Sequence, residues 1–135
     1  MSADLKVFVY GTLKPGGRYW PEFCEGKLAA EPVAAKVPGE LYGLNLGYPG
    51  LVLKGESWVR GYILEFSKEK DFLHLDYLEG YVPGRPESQN DYNRLRVPCF
   101  DLEGEALGEI WIYEMTPEKI ARHGGTRIES GDWPI

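Results

Sequence analysis

Glycine and proline punctuate this chain. Its 135 residues include 17 Gly and 10 Pro, and turn signals return at intervals too short for most of the sequence to be helical. The runs between them favour strands. Lys6-Val7-Phe8-Val9-Tyr10 is a short β-rich run ended by Gly11, and Lys27–Lys36 and Gly39–Leu44 read as extended. Tyr48-Pro49-Gly50 reads as a turn before Leu51-Val52-Leu53. Trp58–Phe66 is a strong strand with Gly61 as a candidate bulge. Tyr92–Phe100 and Glu109–Met115 form a further pair about a turn at Asp101–Gly104. Leu13–Glu25, with Pro15, Gly16, Gly17 and Pro21, is a loop holding at most a short helix.

One segment breaks this rhythm. Ser67 before Lys68-Glu69-Lys70-Asp71 resembles a helix N-cap, and the helix runs to about Glu79, with Gly80 where a C-terminal glycine belongs. Residues 81–90 cannot be regular structure, and Thr116-Pro117-Glu118-Lys119 starts a second, shorter helix. The expected fold is α+β: a small mixed β-barrel or roll of about six strands with one main helix, in a single domain over residues 1–135. Trp133, Pro134 and Ile135 are expected to pack on that same domain.

Composition narrows the function classes. Lys plus Arg number 15 against 21 Asp plus Glu, a net charge of −6. This balance argues against a generic nucleic-acid binder. No apolar run is long enough to span a bilayer, and residues 1–6 lack the pattern of a secretory leader. A cytoplasmic location is the default expectation. Cys24 and Cys99 have no Cys-x-x-Cys spacing and read as reduced, buried thiols, and with only His74 and His123 a closed zinc site is not expected.

Three local features carry chemistry. On a helical wheel Phe72, Leu75 and Leu78 share an arc, and Glu79 falls inside that apolar stripe. Burial there and the negative end of the helix would both raise its pKa; a frayed last turn pointing into water is the other reading. Asp76 lies nearby on the wheel, with a capping or surface role expected. In Val9-Tyr10-Gly11-Thr12-Leu13-Lys14 a strand ends in glycine, which can turn free N–H groups towards a carboxylate; an ordinary strand and turn is the alternative. A phosphate loop is disfavoured, because Gly17-Arg18 stands where Lys-Ser/Thr is needed. Finally, Tyr92 and Arg94 would share a face of a strand, either as a solvated cross-strand pair or as lining for the pocket of Glu79.

In this order and spacing the segments resemble the γ-glutamylcyclotransferase superfamily, in its small AIG2-like branch. The carriers are Val9-Tyr10-Gly11-Thr12-Leu13-Lys14, Leu75-Asp76-Tyr77-Leu78-Glu79-Gly80, Tyr92-x-Arg94, Trp111-Ile112-Tyr113 and Gly131-Asp132-Trp133, with Tyr42 and Tyr48-Pro49-Gly50. The chain departs from the family in the segment Tyr81–Asp91, which separates Glu79-Gly80 from Tyr92, so that Tyr81 competes for the family's tyrosine position; the segment is expected to form a lip over the pocket. The resemblance implies a lyase that cyclises a small γ-glutamyl amide to 5-oxoproline and frees an amine, without a cofactor, nucleic acid or membrane. It implies Glu79 as the catalytic acid–base and Tyr10, Gly11, Thr12, Leu13, Tyr92, Arg94 and Tyr113 as substrate-binding residues, with no metal ligand. A non-catalytic binding or regulatory module on the same fold is the alternative.

Overall fold

A closed barrel of five strands forms the body of the computed structural model, which describes residues 5–134. The expectations about the extreme N-terminus and Ile135 lie outside the described residues. In chain order the barrel strands are β1 (Lys6–Val9), β2 (Val33–Pro38), β5 (Trp58–Glu65), β6 (Asn93–Phe100) and β7 (Ala106–Glu114). Around the barrel the order is β1-β5-β2-β6-β7, closed by a parallel contact of Val7 with Trp111. A second sheet runs β4-β3-β8, from β3 (Glu40–Gly43), β4 (Pro49–Val52) and β8 (Thr126–Arg127). Helices α1 (Trp20–Phe23), α2 (Glu69–Glu79) and α3 (Pro117–Arg122) complete the fold. No helix among the described residues is long and apolar enough to cross a membrane.

The apolar run of β1 is continuous because both its faces are covered. Phe8 and Tyr10 join Val59, Ile63, Ala35, Val37, Val97, Cys99, Ile110 and Ile112, drawn from all five strands, in the barrel interior. Val7 and Val9 face the other way, onto Leu64, Phe66, Phe72 and Leu75 under α2. The long helix is thus fixed to the outside of the barrel by its own apolar stripe. Trp133 packs on the interior cluster.

Several local expectations are corrected. Gly61 is no bulge: pairing of β5 runs without a break from Trp58 to Ile63. Glycine is required because an added Cβ would collide with the Val9 carbonyl and approach the Phe8 ring. Helix α2 begins at Glu69 with Lys68 as an uncapped N-cap. Ser67 lies in a bend, its N–H bonded to Lys27 O at 3.0 Å. Pro49 and Gly50 belong to β4, where proline takes the first position and needs no donor. Of Lys27–Lys36, only Val33 onward joins β2, and Leu28 makes a lone bridge to Phe66. The expected α+β barrel with one main helix is found, with eight strands where about six were expected, five of them in the barrel. Thr116 caps α3 as its sequence predicts, accepting from Lys119 N–H.

Candidate functional site

The end of β1 and the end of α2 meet at one pocket. Its volume is about 240 Å³, below the about 300–1,000 Å³ of drug-sized sites and suited to an amino-acid-sized group. Phe8, Val9, Tyr10, Gly11, Leu13, Pro49, Tyr92 and Tyr113 form its buried floor and walls. Thr12, Tyr19, Tyr48, Leu78 and Glu79 are part-buried, and Asp91, the exposed residue of the lining, marks the mouth.

The first wall is a backbone turn. Gly11 lets Pro49 seat directly on it, since a Cβ there would meet Pro49 Cγ at 2.8 Å. The turn is closed by Lys14 N–H to Gly11 O at 3.1 Å and Tyr19 N–H to Thr12 O at 2.9 Å. The N–H groups of Gly11, Thr12 and Leu13 have no acceptor among the described residues. Three unengaged amides therefore stand in residues that line the pocket, which suits an anion. Lys14 braces the turn from behind. It is 3% exposed, and its Nζ donates to Asp132 Oδ1 at 2.9 Å and Trp133 O at 2.6 Å. The Gly131-Asp132-Trp133 segment thus straps the tail to the turn.

The second wall is the helix end. Gly80 adopts the left-handed conformation at φ 65°; its N–H reaches Tyr77 O at 3.3 Å, and the Tyr81 N–H reaches Asp76 O at 3.0 Å. These are the paired bonds of a Schellman motif. They place Glu79 at the last position of the helix, facing the pocket. Burial, reinforced by the nearby charges of Asp76 and Asp91, pushes the Glu79 carboxyl up from 4.5 to about 8.

Asp76 has no capping or surface role. It is buried, accepts the Tyr113 hydroxyl at 2.6 Å and pairs with Arg94 Nε at 3.4 Å. Arg94 itself does not line the pocket. It faces a neighbouring cavity with Arg85, Asn93 and Glu114, and its guanidinium lies over the rings of Trp111, Phe72 and Tyr81. Tyr92 ends just before β6, so strand alternation does not put it on a face with Arg94. Sequence reasoning missed the burial of Asp76, whose one available signal was its place three residues before Glu79, on the same side of the helix.

The tyrosine hydroxyls are engaged. Tyr10 donates to Tyr113 O at 2.7 Å, Tyr92 to Pro49 O at 2.6 Å, and Tyr113 to Asp76. Burial raises all three hydroxyls well above the ordinary phenol range. Such groups form walls and hold neighbours; they do not carry protons near neutrality. Burial likewise pushes the Cys24 and Cys99 thiols up to about 12, so neither is a nucleophile.

The inserted segment forms no lip beyond its last residue, Asp91. Of Tyr81–Asp91, only Asp91 lines the pocket, while Tyr81, Gly84, Arg85, Glu87 and Asn90 line the neighbouring cavity. Tyr92 therefore holds the pocket position for which Tyr81 competed. Asp91 N–H bonds Gly80 O at 3.0 Å and Tyr92 N–H bonds Glu79 O at 3.2 Å, closing the segment at its root. Buried Asn90 braces it by accepting from Val82 N–H and Arg85 Nε and donating to Asn93.

The chain as a whole is similar to known proteins. A family model described as "Gamma-glutamyl cyclotransferase, AIG2-like" matches residues 7–134. The chain is 32% identical over 107 residues to the "Gamma-L-glutamyl-butirosin B gamma-glutamyl cyclotransferase" of Niallia circulans, a match covering 79% of this chain and 65% of that protein. Among solved structures, an AIG2-like protein from Mus musculus is similar at TM-score 0.63 and 24% identity, over 86% of this chain and 82% of that one. YkqA from Bacillus subtilis is similar at TM-score 0.64 and 24% identity, over 95% of this chain and 39% of that one.

Proposed function

The chain belongs to the γ-glutamyl cyclotransferase, AIG2-like family, and from that premise we propose that it cyclises a γ-glutamyl amide to 5-oxoproline with release of an amine, using Glu79 as its single proton carrier. The observation that carries this reading is one desolvated carboxyl sharing a pocket with three unengaged backbone amides.

The substrate's α-carboxylate sits on the N–H groups of Gly11, Thr12 and Leu13. Its α-ammonium gives a proton to the Glu79 carboxylate. The freed amine attacks the side-chain carbonyl carbon, a C–N bond closes the five-membered ring, and negative charge moves to the carbonyl oxygen. Glu79 gives that proton to the departing nitrogen and takes the second proton from the positively charged ring nitrogen; the carbonyl re-forms as the original C–N bond breaks, and 5-oxoproline leaves with an amine, which carries the second proton away as an ammonium and returns Glu79 to its carboxylate. Nucleophile and electrophile belong to one molecule, so holding the reactive rotamer converts chain entropy into rate.

The raised carboxyl makes this exchange affordable. An ordinary Glu near 4.3 taking a proton from an α-amine near 8 works uphill by about 5 kcal/mol. At about 8 Glu79 matches the amine and works almost level in both directions. Asp76 contributes by its charge, and the Arg94 and Tyr113 contacts hold it in place three residues from Glu79. Tyr10, Tyr92 and Tyr113 wall the pocket, and Arg94 acts on the site from outside it, through its pairing with Asp76 and its charge near Tyr113. The Niallia circulans relative is named for a γ-glutamyl substrate, which supports the same substrate class here.

The test is incubation with a panel of γ-glutamyl amines and dipeptides, followed by assay of 5-oxoproline. Glu79→Gln is expected to lower kcat by about 10²–10⁴-fold. Equal turnover by both proteins would remove the mechanism.

A further inference from the structure

We propose that Asp91 makes the site selective for leaving amines that carry a second positive charge, and against those that carry a carboxylate. The proposal rests on the cyclisation reading above and adds the class of group attached to the γ-glutamyl unit.

The pocket lining holds two carboxylates, Glu79 and Asp91, and no Lys, Arg or His. Their duties differ. Glu79 takes up and returns a proton in each turnover, next to the reacting nitrogen. Asp91 enters that exchange only through its charge, and its carboxylate has no hydrogen-bond or ion-pair partner among the described residues. Its charge nevertheless reaches Glu79, Tyr48 and Tyr92, raising the pKa of each. It therefore stands over the pocket as an uncompensated negative charge.

That charge is held in position. The Asp91 backbone is tied to Gly80 O, and its carboxylate rests so closely on Gly80 that a Cβ there would strike it. Behind it, buried Asn90 secures the rest of the segment through Val82, Arg85 and Asn93. Placement also decides which part of a substrate it meets. The amides of Gly11 and Leu13 belong to the floor and Asp91 to the mouth. With the glutamyl unit filling a pocket of about 240 Å³, the remainder of the leaving amine projects past Asp91. Tyr19 and Tyr48, both part-exposed, also line the pocket, with the Tyr48 and Tyr92 rings 6.4 Å apart, and aromatic faces attract cations. A cationic tail gains from both features. An α-carboxylate on the departing nitrogen's carbon meets a like charge, a repulsive element that sharpens selectivity.

Three γ-glutamyl amides test this: those of 1,4-diaminobutane, butylamine and glycine, whose tails are cationic, neutral and anionic. Specificity constants are measured by 5-oxoproline release. The wild-type protein is expected to rank them in that order, with roughly three- to tenfold between neighbours, and Asp91→Asn is expected to bring the ratios towards one. High salt should compress the wild-type ratios in the same direction, which keeps the test available if the variant folds poorly. Ratios that Asp91→Asn leaves unchanged, wild-type ratios indifferent to salt, or a wild-type preference for the glycine amide would overturn the selectivity while leaving the cyclisation intact. Absence of 5-oxoproline from all three would overturn the cyclisation reading and the selectivity with it.

Discussion

Replacing Glu79 by Gln should stabilise this protein in alkaline buffer while removing its activity. The folded site holds the carboxyl at about 8 against 4.5 for the ordinary group. Between those values the folded state binds more protons than the unfolded state, so stability falls as pH rises. The contribution is intact below pH 4.5, erodes through the window, and is lost once pH exceeds 8. At about 1.36 kcal/mol per pH unit, the span from pH 5 to pH 9 corresponds to on the order of 4 kcal/mol. Glu79 is part-exposed, and solvent screening lowers this to about 2–4 kcal/mol. Glutamine does not titrate, and every other group is common to both proteins. Urea unfolding at a series of pH values measures the difference directly. The Glu79→Gln protein should gain on the wild type by that amount between pH 5 and pH 9. A difference that stays constant across this range would refute the reasoning, because Glu79 would then be an ordinary carboxylate, poorly matched to an amine.

Asp76→Asn removes the larger of the two charges acting on Glu79, so the Glu79 inflection in the pH dependence of kcat/KM should move to lower pH. It also leaves Arg94 without its counter-charge, and urea unfolding should show a loss of roughly 3 kcal/mol. Gly61→Ala places a methyl against the Val9 carbonyl inside the barrel; thermal unfolding should show a destabilisation of about 3 kcal/mol.

The barrel was legible where hydrophobic runs are bounded by glycine. The β1 run up to Gly11, the strong β5 run and the β6–β7 pair all appear in the structure, and Gly80 closes the helix as its position predicts. These are local signals, with residue and cause close together in the chain. What escaped depends on contacts between distant segments. Asp76 looked like a surface acid because its partners Tyr113 and Arg94 come from β7 and β6. Lys14 gives no local sign of burial, since its acceptors lie in the tail at Asp132 and Trp133. Ser67 has the chemistry of a cap, yet its backbone is committed to Lys27. The wheel placed Glu79 on an apolar arc without deciding whether that arc was covered. Its neighbours across the pocket, Gly11 and Pro49, belong to other elements that only the assembled barrel brings near.

The excursion between Gly80 and Tyr92 leaves and re-enters the body of the protein at almost one point, fastened there by two main-chain bonds. Lengthening such a loop adds only slowly to its closure entropy. Insertions and deletions near its tip, at Pro83 and Gly84, can therefore accumulate without disturbing the helix end from which Glu79 projects, so long as Arg85, Asn90 and Asp91 keep their contacts around Gly80.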